Sequence, residues 1–299
     1  MSLIRNKLKN ARNASCLFVA DLHGKTDRFE KLFHLIKEEP PAAVFIGGDI
    51  SPSYLLNLSS NETLHNDFVN DFLIKRFDEL RASLKKEYPD VFLILGNDDL
   101  RVEEAAVNAA ASRGLWHYVH GKRDEVFGYP LYGYANVPPT PFRLKDWERY
   151  DISRYVEPGC LSPEEGMRSV EVDALEIKYG TIKDDIEKMT ATRDMWKAIF
   201  LFHAPPYQTM LDRAALDGKM IDHAPLDVNI GSVAIKRFIE TRQPLLTLHG
   251  HVHESARLTG SWQDKIGKTY AFSAAHDGPE LTVVRFELSN LAGATRELI

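Results

Sequence analysis

Runs of apolar residues alternate with amphipathic stretches along the first hundred residues of the chain. Uninterrupted apolar runs predict buried strands at 16–20, 42–46 and 91–95. Between them, apolar residues recur at helical spacing in 27–38 and in 66–88, which predicts two amphipathic helices. The order strand, helix, strand, helix, strand predicts an α/β domain built on a parallel sheet.

The second half of the chain returns to this pattern after a less regular segment. Further apolar runs predict strands at 198–202, 244–248, 269–274 and 281–288. The last two of these fit a second, more antiparallel sheet, and 232–241 predicts a helix. Residues 135–193 carry Pro and Gly loop signals and a charged stretch, 181–192, that predicts a solvated helix. We expect a single domain over 14–299 with an insertion or lid at about 135–193, and an N-terminal extension at 1–13.

Composition narrows the class of protein. The 299 residues are 44% hydrophobic and 27% charged, as is typical of a globular protein. No apolar run is long enough to cross a membrane, and the polar, basic start lacks the apolar segment of a secretory signal. Cys16 lies in an apolar run and Cys160 in a Pro/Gly loop, which does not suggest a disulfide and favours a reducing, cytoplasmic setting. The net charge of −6, without a dense Lys/Arg run, does not suggest a nucleic-acid partner.

Side chains that can bind metal ions follow the predicted buried strands directly. They are Asp21, His23, Asp49, Asn97, His203, His251 and His253. Borderline and hard divalent ions accept Asp, Asn and His as ligands. Because ligands of such sheets sit at the carboxyl ends of strands, the pattern delivers the acidic and amide members to one sheet edge. Seven ligands cannot all surround one ion that keeps an open position, but they suit two ions that share a bridging carboxylate.

The order of these residues resembles the calcineurin-like metallophosphoesterases. The signature of that family runs D-x-H, then G-D, then G-N with two further positions, then an isolated His, then G-H-x-H. This chain has five blocks in the same order: Asp21-Leu-His23, Gly48-Asp49, Gly96-Asn-Asp-Asp99, His203 and Gly250-His-Val-His253. The resemblance spans residues 20 to about 254. It implies the α/β fold of the family, in which two packed mixed β-sheets are flanked by α-helices in four α-β-β-α layers.

The resemblance also implies a role for each ligand position. One metal ion would be held by Asp21, His23 and His253, the other by Asn97, His203 and His251, and Asp49 would bridge both. The expected cofactors are therefore two divalent metal ions, and a hydroxide between them would attack phosphorus in line with the leaving oxygen. A donor set of Asp, Asn and His without a thiolate favours manganese or iron, with zinc and nickel as alternatives.

One position departs from the family pattern. Many members have a His directly after the Asn, near the leaving group, where it can act as general acid. This chain has Asp98 there, and a carboxylate close to two cations is a poor proton donor at neutral pH. Candidates for the proton donor are Asp98 itself, His65, His223 and water bound to a metal ion.

Several residues beside the ligand blocks are candidates for supporting roles. Asp99 and His249 adjoin ligand positions but lie outside the ligand set, and we expect them to orient their neighbours. Tyr207, Arg213 and His223 lie in the loop between two ligand blocks and are candidate substrate contacts.

These features predict a cytoplasmic, dinuclear metal-dependent phosphoesterase whose substrate is a small or medium phosphate ester. Phosphodiesters are favoured over monoesters because Asp98 offers no ready proton and repels a monoester dianion more than a diester monoanion. The alternatives are a phosphomonoesterase or a nuclease on the same site, and a non-catalytic scaffold that binds protein. The complete set of seven ligand positions argues against the scaffold, and the negative net charge argues against the nuclease. The sequence does not determine the oligomeric state.

Overall fold

The computed structural model describes residues 15–53 and 67–299. Its strands are β1 (Ser15–Val19), β2 (Ala43–Gly47), β3 (Asp90–Ile94), β4 (His117–Tyr118), β5 (Arg123–Val126), β6 (Tyr129–Tyr134), β7 (Ile199–Phe202), β8 (Met220–Ile221), β9 (Ala224–Pro225), β10 (Leu246–His249), β11 (Gln263–Ile266), β12 (Thr269–Ser273), β13 (Thr282–Glu287) and β14 (Asn290–Leu298). Its α-helices are α1 (Thr26–Glu38), α2 (Ile74–Leu84), α3 (Glu104–Ser112), α4 (Ala174–Tyr179), α5 (Ile182–Thr190), α6 (Val233–Arg242) and α7 (Ser255–Thr259). A π-helical turn, Val69–Leu73, leads into α2.

The first sheet contains the three strands that the early apolar runs predict. Its order is β14-β13-β1-β2-β3-β4, and β1 to β4 pair in parallel, which confirms the predicted parallel sheet. Apart from the first residue of β1 and of β3, the strands β1, β2 and β3 are buried throughout. Such continuous apolar runs are required where both faces of a sheet are covered.

The second sheet has the order β11-β12-β10-β7-β6-β5. The prediction that the tail forms a second, more antiparallel sheet is wrong in two respects. Strand β12 pairs in parallel with β10, and β13 belongs to the first sheet, where it pairs antiparallel with β1. Alternating apolar residues fix which face of a strand is buried, but they do not specify the neighbouring strand.

The two sheets pack face to face and share a core. Strands β2 and β3 of the first sheet contact β6 and β7 of the second, and one buried cluster includes Phe18 and Leu93 from the first sheet with Leu201 and Leu248 from the second. The outer face of the first sheet is covered by α1 and α2, and that of the second by α5 and α6. This is the four-layer α-β-β-α arrangement expected from the resemblance.

The segment 135–193 packs against the second sheet. The predicted helix at 181–192 corresponds to α5, but it is not fully solvated because Ile182, Ile186 and Thr190 are buried. The segment is also tied to α6 through Asp151, whose carboxylate accepts hydrogen bonds from Val233 N at 2.6 Å and from Ala234 N at 3.2 Å. A carboxylate at this position stabilises the first turn of the helix. In the described residues, no helix is both long and apolar enough to span a bilayer.

Candidate metal centre

The candidate site lies where strands of both sheets end. Asp21 and His23 follow β1, Asp49 follows β2, Asn97 follows β3, His203 follows β7, and His251 and His253 follow β10. We call Asp21, His23 and His253 the first trio, and Asn97, His203 and His251 the second trio. The strand ends predicted from the sequence therefore do deliver these side chains to one region, and each trio combines residues from the two sheets.

The first trio converges closely. His23 Nε2 lies 3.1 Å from His253 Nε2, and His253 Nε2 lies 3.5 Å from Asp21 Oδ1. One ligand atom from each member of this trio and one from Asp49 all lie within 4.8 Å of one another. Two imidazole nitrogens that face each other at 3.1 Å cannot both carry protons, so at least one lone pair points into the space between them.

The second trio is centred on His203, which is fully buried. His203 Nε2 lies 3.0 Å from Asn97 Oδ1, and its ring centroid lies 5.2 Å from that of His251. The other ring nitrogen, Nδ1, lies 2.7 Å from Gly47 O and is held by that carbonyl. This contact fixes the ring so that Nε2 faces the other side chains of the site.

Asp49 lies between the two trios. Its Oδ2 is 3.9 Å from His23 Nε2 on one side and 3.3 Å from His203 Nε2 on the other. Its Oδ1 accepts a hydrogen bond of 2.8 Å from Asp98 N. A single carboxylate at this position can reach metal ions on both sides.

The donor set fits divalent cations. It combines carboxylate oxygens, an amide oxygen and imidazole nitrogens without a thiolate, which is a set that manganese, iron and similar ions accept. Asp21, Asp49 and His203 are at most 2% exposed. Buried carboxylates need a cation or several hydrogen-bond donors, and the convergence of acceptor atoms here is the arrangement that a bound cation would stabilise.

The backbone is strained at several of these positions. The φ angles of Asp21, His23, Asp49 and His251 are 57°, 48°, 50° and 75°. This left-handed region is uncommon for residues other than glycine, although Asp, Asn and His tolerate it better than most. Strain of this kind persists where surrounding contacts determine the backbone, and it clusters at functional sites.

Glycines leave the space that the clustered side chains occupy. A Cβ on Gly96 would lie 2.3 Å from Asp49 Oδ1 and 2.7 Å from His203 Cε1. A Cβ on Gly250 would lie 2.8 Å from Asp21 Oδ2. The glycines that follow β3 and β10 are therefore required by close packing against the site, as their place in the sequence blocks suggests.

Asp99 joins the loops behind the site. Its buried carboxylate accepts hydrogen bonds from Gly96 N at 2.8 Å, from Ile50 N at 3.2 Å and from Ser51 N at 2.7 Å. Burial raises the pKa of Asp99, and the nearby Asp49 raises it further. These contacts fit the expected orienting role, because they hold the chain after Asp49 against the chain around Asn97.

The charges of the site are strongly coupled. Burial alone would lower the pKa of His203, but Asp49 beside it raises that pKa to about 9. Burial alone would raise the pKa of Asp49, but His203 holds it below its ordinary range. Burial lowers the pKa of His251 to about 3. His203 and Asp49 therefore stabilise each other's charged forms, whereas burial favours the neutral form of His251.

Asp98 adjoins the first trio. Its Oδ2 lies 3.1 Å from His23 Nδ1, and its Oδ1 accepts a hydrogen bond of 2.9 Å from Ser53 Oγ. Both carboxylate oxygens are therefore engaged. Sequence reasoning missed Ser53, because a serine in the loop that follows Asp49 carries no pattern that distinguishes it from a turn residue.

His249 lies behind the second trio. Its Nδ1 is 2.9 Å from Ala204 O and its Nε2 is 2.8 Å from Thr247 Oγ1, while its ring stacks on Phe202 at 5.8 Å between centroids. Burial lowers the pKa of His249 to about 4. The neutral ring holds the residue after His203 and so fits the expected supporting role.

The three candidate substrate contacts make their polar contacts elsewhere. Tyr207 donates to Asp227 Oδ2 at 2.5 Å, and Arg213 donates to Asp217 Oδ1 at 2.5 Å. His223 is exposed at the turn between β8 and β9. Nothing in these contacts ties the three residues to either trio. His65, the remaining candidate proton donor, lies outside the described residues.

Comparison with known proteins adds to this picture. Residues 15–255 match the calcineurin-like phosphoesterase family. No curated protein matches the chain significantly. One solved structure superposes with a TM-score of 0.58 at 15% identity, covering 95% of this chain and 98% of its own. A second, TT1561 of Thermus thermophilus, has a TM-score of 0.55 at 15% identity and the same two coverages. A dimetal phosphatase from Danio rerio has a TM-score of 0.49 at 12% identity, covering 91% of this chain and 92% of its own. At such identities the likeness to TT1561 concerns the fold alone.

Proposed function

Since the chain belongs to the calcineurin-like phosphoesterase family, whose members are dinuclear metal-dependent hydrolases of phosphoric esters, we propose that the two trios and Asp49 form its catalytic metal centre. The first trio would hold one ion, the second trio would hold the other, and Asp49 would bridge them. We further propose that manganese or iron occupies the centre, since the donor set has no thiolate. The proposed substrates are small or medium phosphodiesters.

The position of Asp49 is the observation that carries this proposal. Its Oδ2 faces His23 at 3.9 Å and His203 at 3.3 Å, so the same oxygen is within reach of both trios. A site for a single ion does not need a buried carboxylate between two separate groups of ligands. When bound, two divalent ions would activate a water molecule as nucleophile and neutralise charge that develops on the phosphoryl group.

Asp98 supports the preference for diesters. Its two oxygens accept or share hydrogen bonds with Ser53 and His23, so it acts as a charged acceptor at the position where many relatives have a proton-donating His. A leaving group would then depart without a strong acid from this position, which favours esters with good leaving groups. A fixed negative charge also repels a monoester dianion more than a diester monoanion. His223 and metal-bound water remain candidate proton donors.

We also propose that residues 135–193 form a wall that influences substrate choice without supplying metal ligands. The segment contacts the chain just beyond Asp98, because Arg101 N donates to Asp146 Oδ2 at 2.8 Å and the guanidinium of Arg101 lies 5.3 Å from the ring centroid of Trp147. Shortening its exposed loop at 153–159 should change the ranking of substrates while the metal content stays the same. Loss of both metal ions from a folded, shortened protein would contradict this proposal.

Metal stoichiometry tests the proposed centre. Elemental analysis of the purified protein under metal-replete conditions should give close to two ions per chain. A content that stays near zero would favour the non-catalytic scaffold, and a content near one would contradict the dinuclear assignment. A screen of aryl phosphodiesters against phosphomonoesters with manganese, iron, zinc and nickel then tests the substrate class and the metal preference.

A further inference from the structure

Arg28 is a buried cation close to the candidate metal centre. It lies in the first turn of α1 and is only 4% exposed. All three of its guanidinium nitrogens donate to backbone carbonyls. Nη1 lies 2.7 Å from Asp21 O, Nη2 lies 2.5 Å from Gly278 O, and Nε lies 3.5 Å from Pro279 O. None of the sequence blocks discussed above includes this residue.

The acceptors of Arg28 are neutral, which is uncommon for a buried guanidinium. Among the described residues no carboxylate lies within ion-pair distance of it, and Asp21, Asp27 and Glu280 act on it only from farther away. Burial of a cation without a paired carboxylate is unfavourable unless hydrogen bonds compensate it. The burial of Arg28 is therefore best explained by what its three hydrogen bonds hold in place.

One of these bonds fixes the backbone of Asp21. The N–H of Asp21 donates to Gly48 O at 3.0 Å, and its carbonyl accepts from Arg28, so both sides of this residue are held. Its carboxylate accepts from His251 N at 3.0 Å. Asp21 has a left-handed backbone with φ of 57°, and such a conformation needs surrounding contacts to maintain it.

The other two bonds hold the connection between the sheets. Gly278 and Pro279 lie between β12 of the second sheet and β13 of the first. The first trio likewise takes Asp21 and His23 from the first sheet and His253 from the second. Arg28 thus joins the strand end that carries Asp21 to the chain that crosses from one sheet to the other. No corresponding cation holds the backbone of the second trio among the hydrogen bonds of the described residues.

We propose that Arg28 is a positioning residue for the metal ion of the first trio. It acts by fixing the Asp21 peptide and the Gly278–Pro279 turn, so that the carboxylate of Asp21 stays aligned with His23 and His253. This inference rests on the proposed dinuclear centre. Two effects of removing Arg28 have opposite signs. Loss of positioning weakens metal binding at the first trio, whereas loss of a nearby positive charge strengthens it.

Titration of the metal-free protein with Mn²⁺ tests this proposal. Wild type should bind two ions. Arg28→Met should bind one ion with wild-type affinity and the other at least about tenfold more weakly, as is usual when a group that orients a ligand is removed. At two equivalents of Mn²⁺ per chain, electron paramagnetic resonance should then show a stronger six-line signal of uncoupled Mn²⁺ in the variant than in wild type, whose two ions form a spin-coupled pair.

Arg81→Met is the matched control. Arg81 Nη1 also donates to a backbone carbonyl, that of Arg113 at 2.7 Å, but at the end of α2 away from the strand ends that carry the trios. This variant should bind two ions as wild type does. If Arg28→Met cannot be obtained folded, Arg28→Lys replaces it, because lysine keeps the charge but cannot reach three carbonyls, and it should show the same selective weakening.

Several outcomes would overturn the proposal. Equal weakening of both ions would mean a general structural role, and unchanged or tighter binding would mean that positioning is not what Arg28 supplies. In each of these cases wild type still binds two ions, so the proposed function stands. If wild type itself binds no Mn²⁺, the proposed function and this inference fail together.

Discussion

Asp98 Oδ2 lies 3.1 Å from His23 Nδ1, which places a carboxylate behind an imidazole of the first trio. If Nδ1 of His23 carries the proton and donates it to Asp98, the lone pair of Nε2 faces His253 and Asp49. A carboxylate in this relation to a histidine commonly fixes the tautomer and raises the basicity of the ligating nitrogen. Asp98 is therefore placed to orient the ring of His23 in addition to carrying a negative charge.

The first prediction concerns substrate preference. Wild type should have a higher kcat/KM for an aryl phosphodiester than for the matching aryl phosphomonoester, and Asp98→His should shift this ratio towards the monoester. A histidine would supply a proton donor and remove the negative charge, and general acids contribute on the order of 10²-fold or more. Asp98→Asn is the control, since it removes the charge without supplying an acid, and it should shift the ratio less. Monoester preference in wild type with an unchanged ratio in Asp98→His would refute the argument.

The second prediction concerns the bridging position. Asp49→Asn should lower kcat/KM by about 10²-fold or more, because removal of a direct ligand exceeds the usual effect of removing an outer partner. The variant should still fold, since asparagine tolerates a φ of 50°, although it loses the stabilisation that the Asp49 charge gives to His203. Thermal unfolding and kinetics of the variant measure both effects. Asp90→Asn, at the opposite end of β3, is the control, and near-normal turnover of Asp49→Asn would show that Asp49 does not bridge the ions.

The third prediction concerns Gly96. An added methyl group would lie 2.3 Å from Asp49 Oδ1 and 2.7 Å from His203 Cε1, so Gly96→Ala should displace ligands and lower metal content and activity together. Gly218→Ala is the control, because its Cβ meets nothing within 4 Å and only its φ of 69° opposes the change. That control should lose about 1 kcal/mol of stability and keep both ions. Full metal content in Gly96→Ala would mean that the loops relax around the methyl group.

The fourth prediction concerns the pH dependence of stability. Burial and the nearby Arg101 lower the pKa of His120 from 6.5 to about 3 in the folded protein. Between these values the unfolded chain binds the extra proton, so the free energy of unfolding falls as the pH decreases from about 6.5 towards 3. The contribution of neutral His120 to the free energy of unfolding is fully present above about pH 6.5. Below that pH it decreases by at most about 1.4 kcal/mol per pH unit.

His120→Gln removes this titration while leaving a side-chain acceptor for Ala135 N, which donates to His120 Nδ1 at 2.9 Å. Urea unfolding of metal-free wild type and variant at about pH 5 and about pH 7 measures the difference. The stability of the variant should fall less between these two pH values. Parallel losses in both proteins would show that other groups cause the acid sensitivity.

The sequence predicts the parts of the fold that depend on local pattern. The run at 16–20 corresponds to β1 at Ser15–Val19, and the glycines at the ends of β2 and β3 directly precede the proposed metal ligands Asp49 and Asn97. The partner of β13 could not be predicted, because pairing with β1 joins residues such as Cys16 and Phe286 from opposite ends of the chain. Short strands such as β4, with only two residues, also lack enough pattern to be found.

The site, like the fold, has parts that follow from local sequence pattern and parts that depend on contacts between distant residues. The seven ligand positions could be proposed from type and spacing, because metal-binding side chains at consecutive strand ends form a pattern. Contacts between a side chain and backbone that is distant in the sequence could not be proposed in this way. The carbonyl of Gly278 lies 250 residues from Arg28, and nothing in the sequence around either residue indicates that they meet.

The left-handed backbone at Asp21, His23, Asp49 and His251 has a consequence for directed evolution of this protein. Glycine adopts such conformations without a steric penalty, so replacement of any one of these residues by glycine would relieve backbone strain while removing a proposed metal ligand. A library screened only for heat resistance would therefore enrich folded but inactive variants at these four positions. Selection for thermostable forms of this enzyme has to include a catalytic screen in every round.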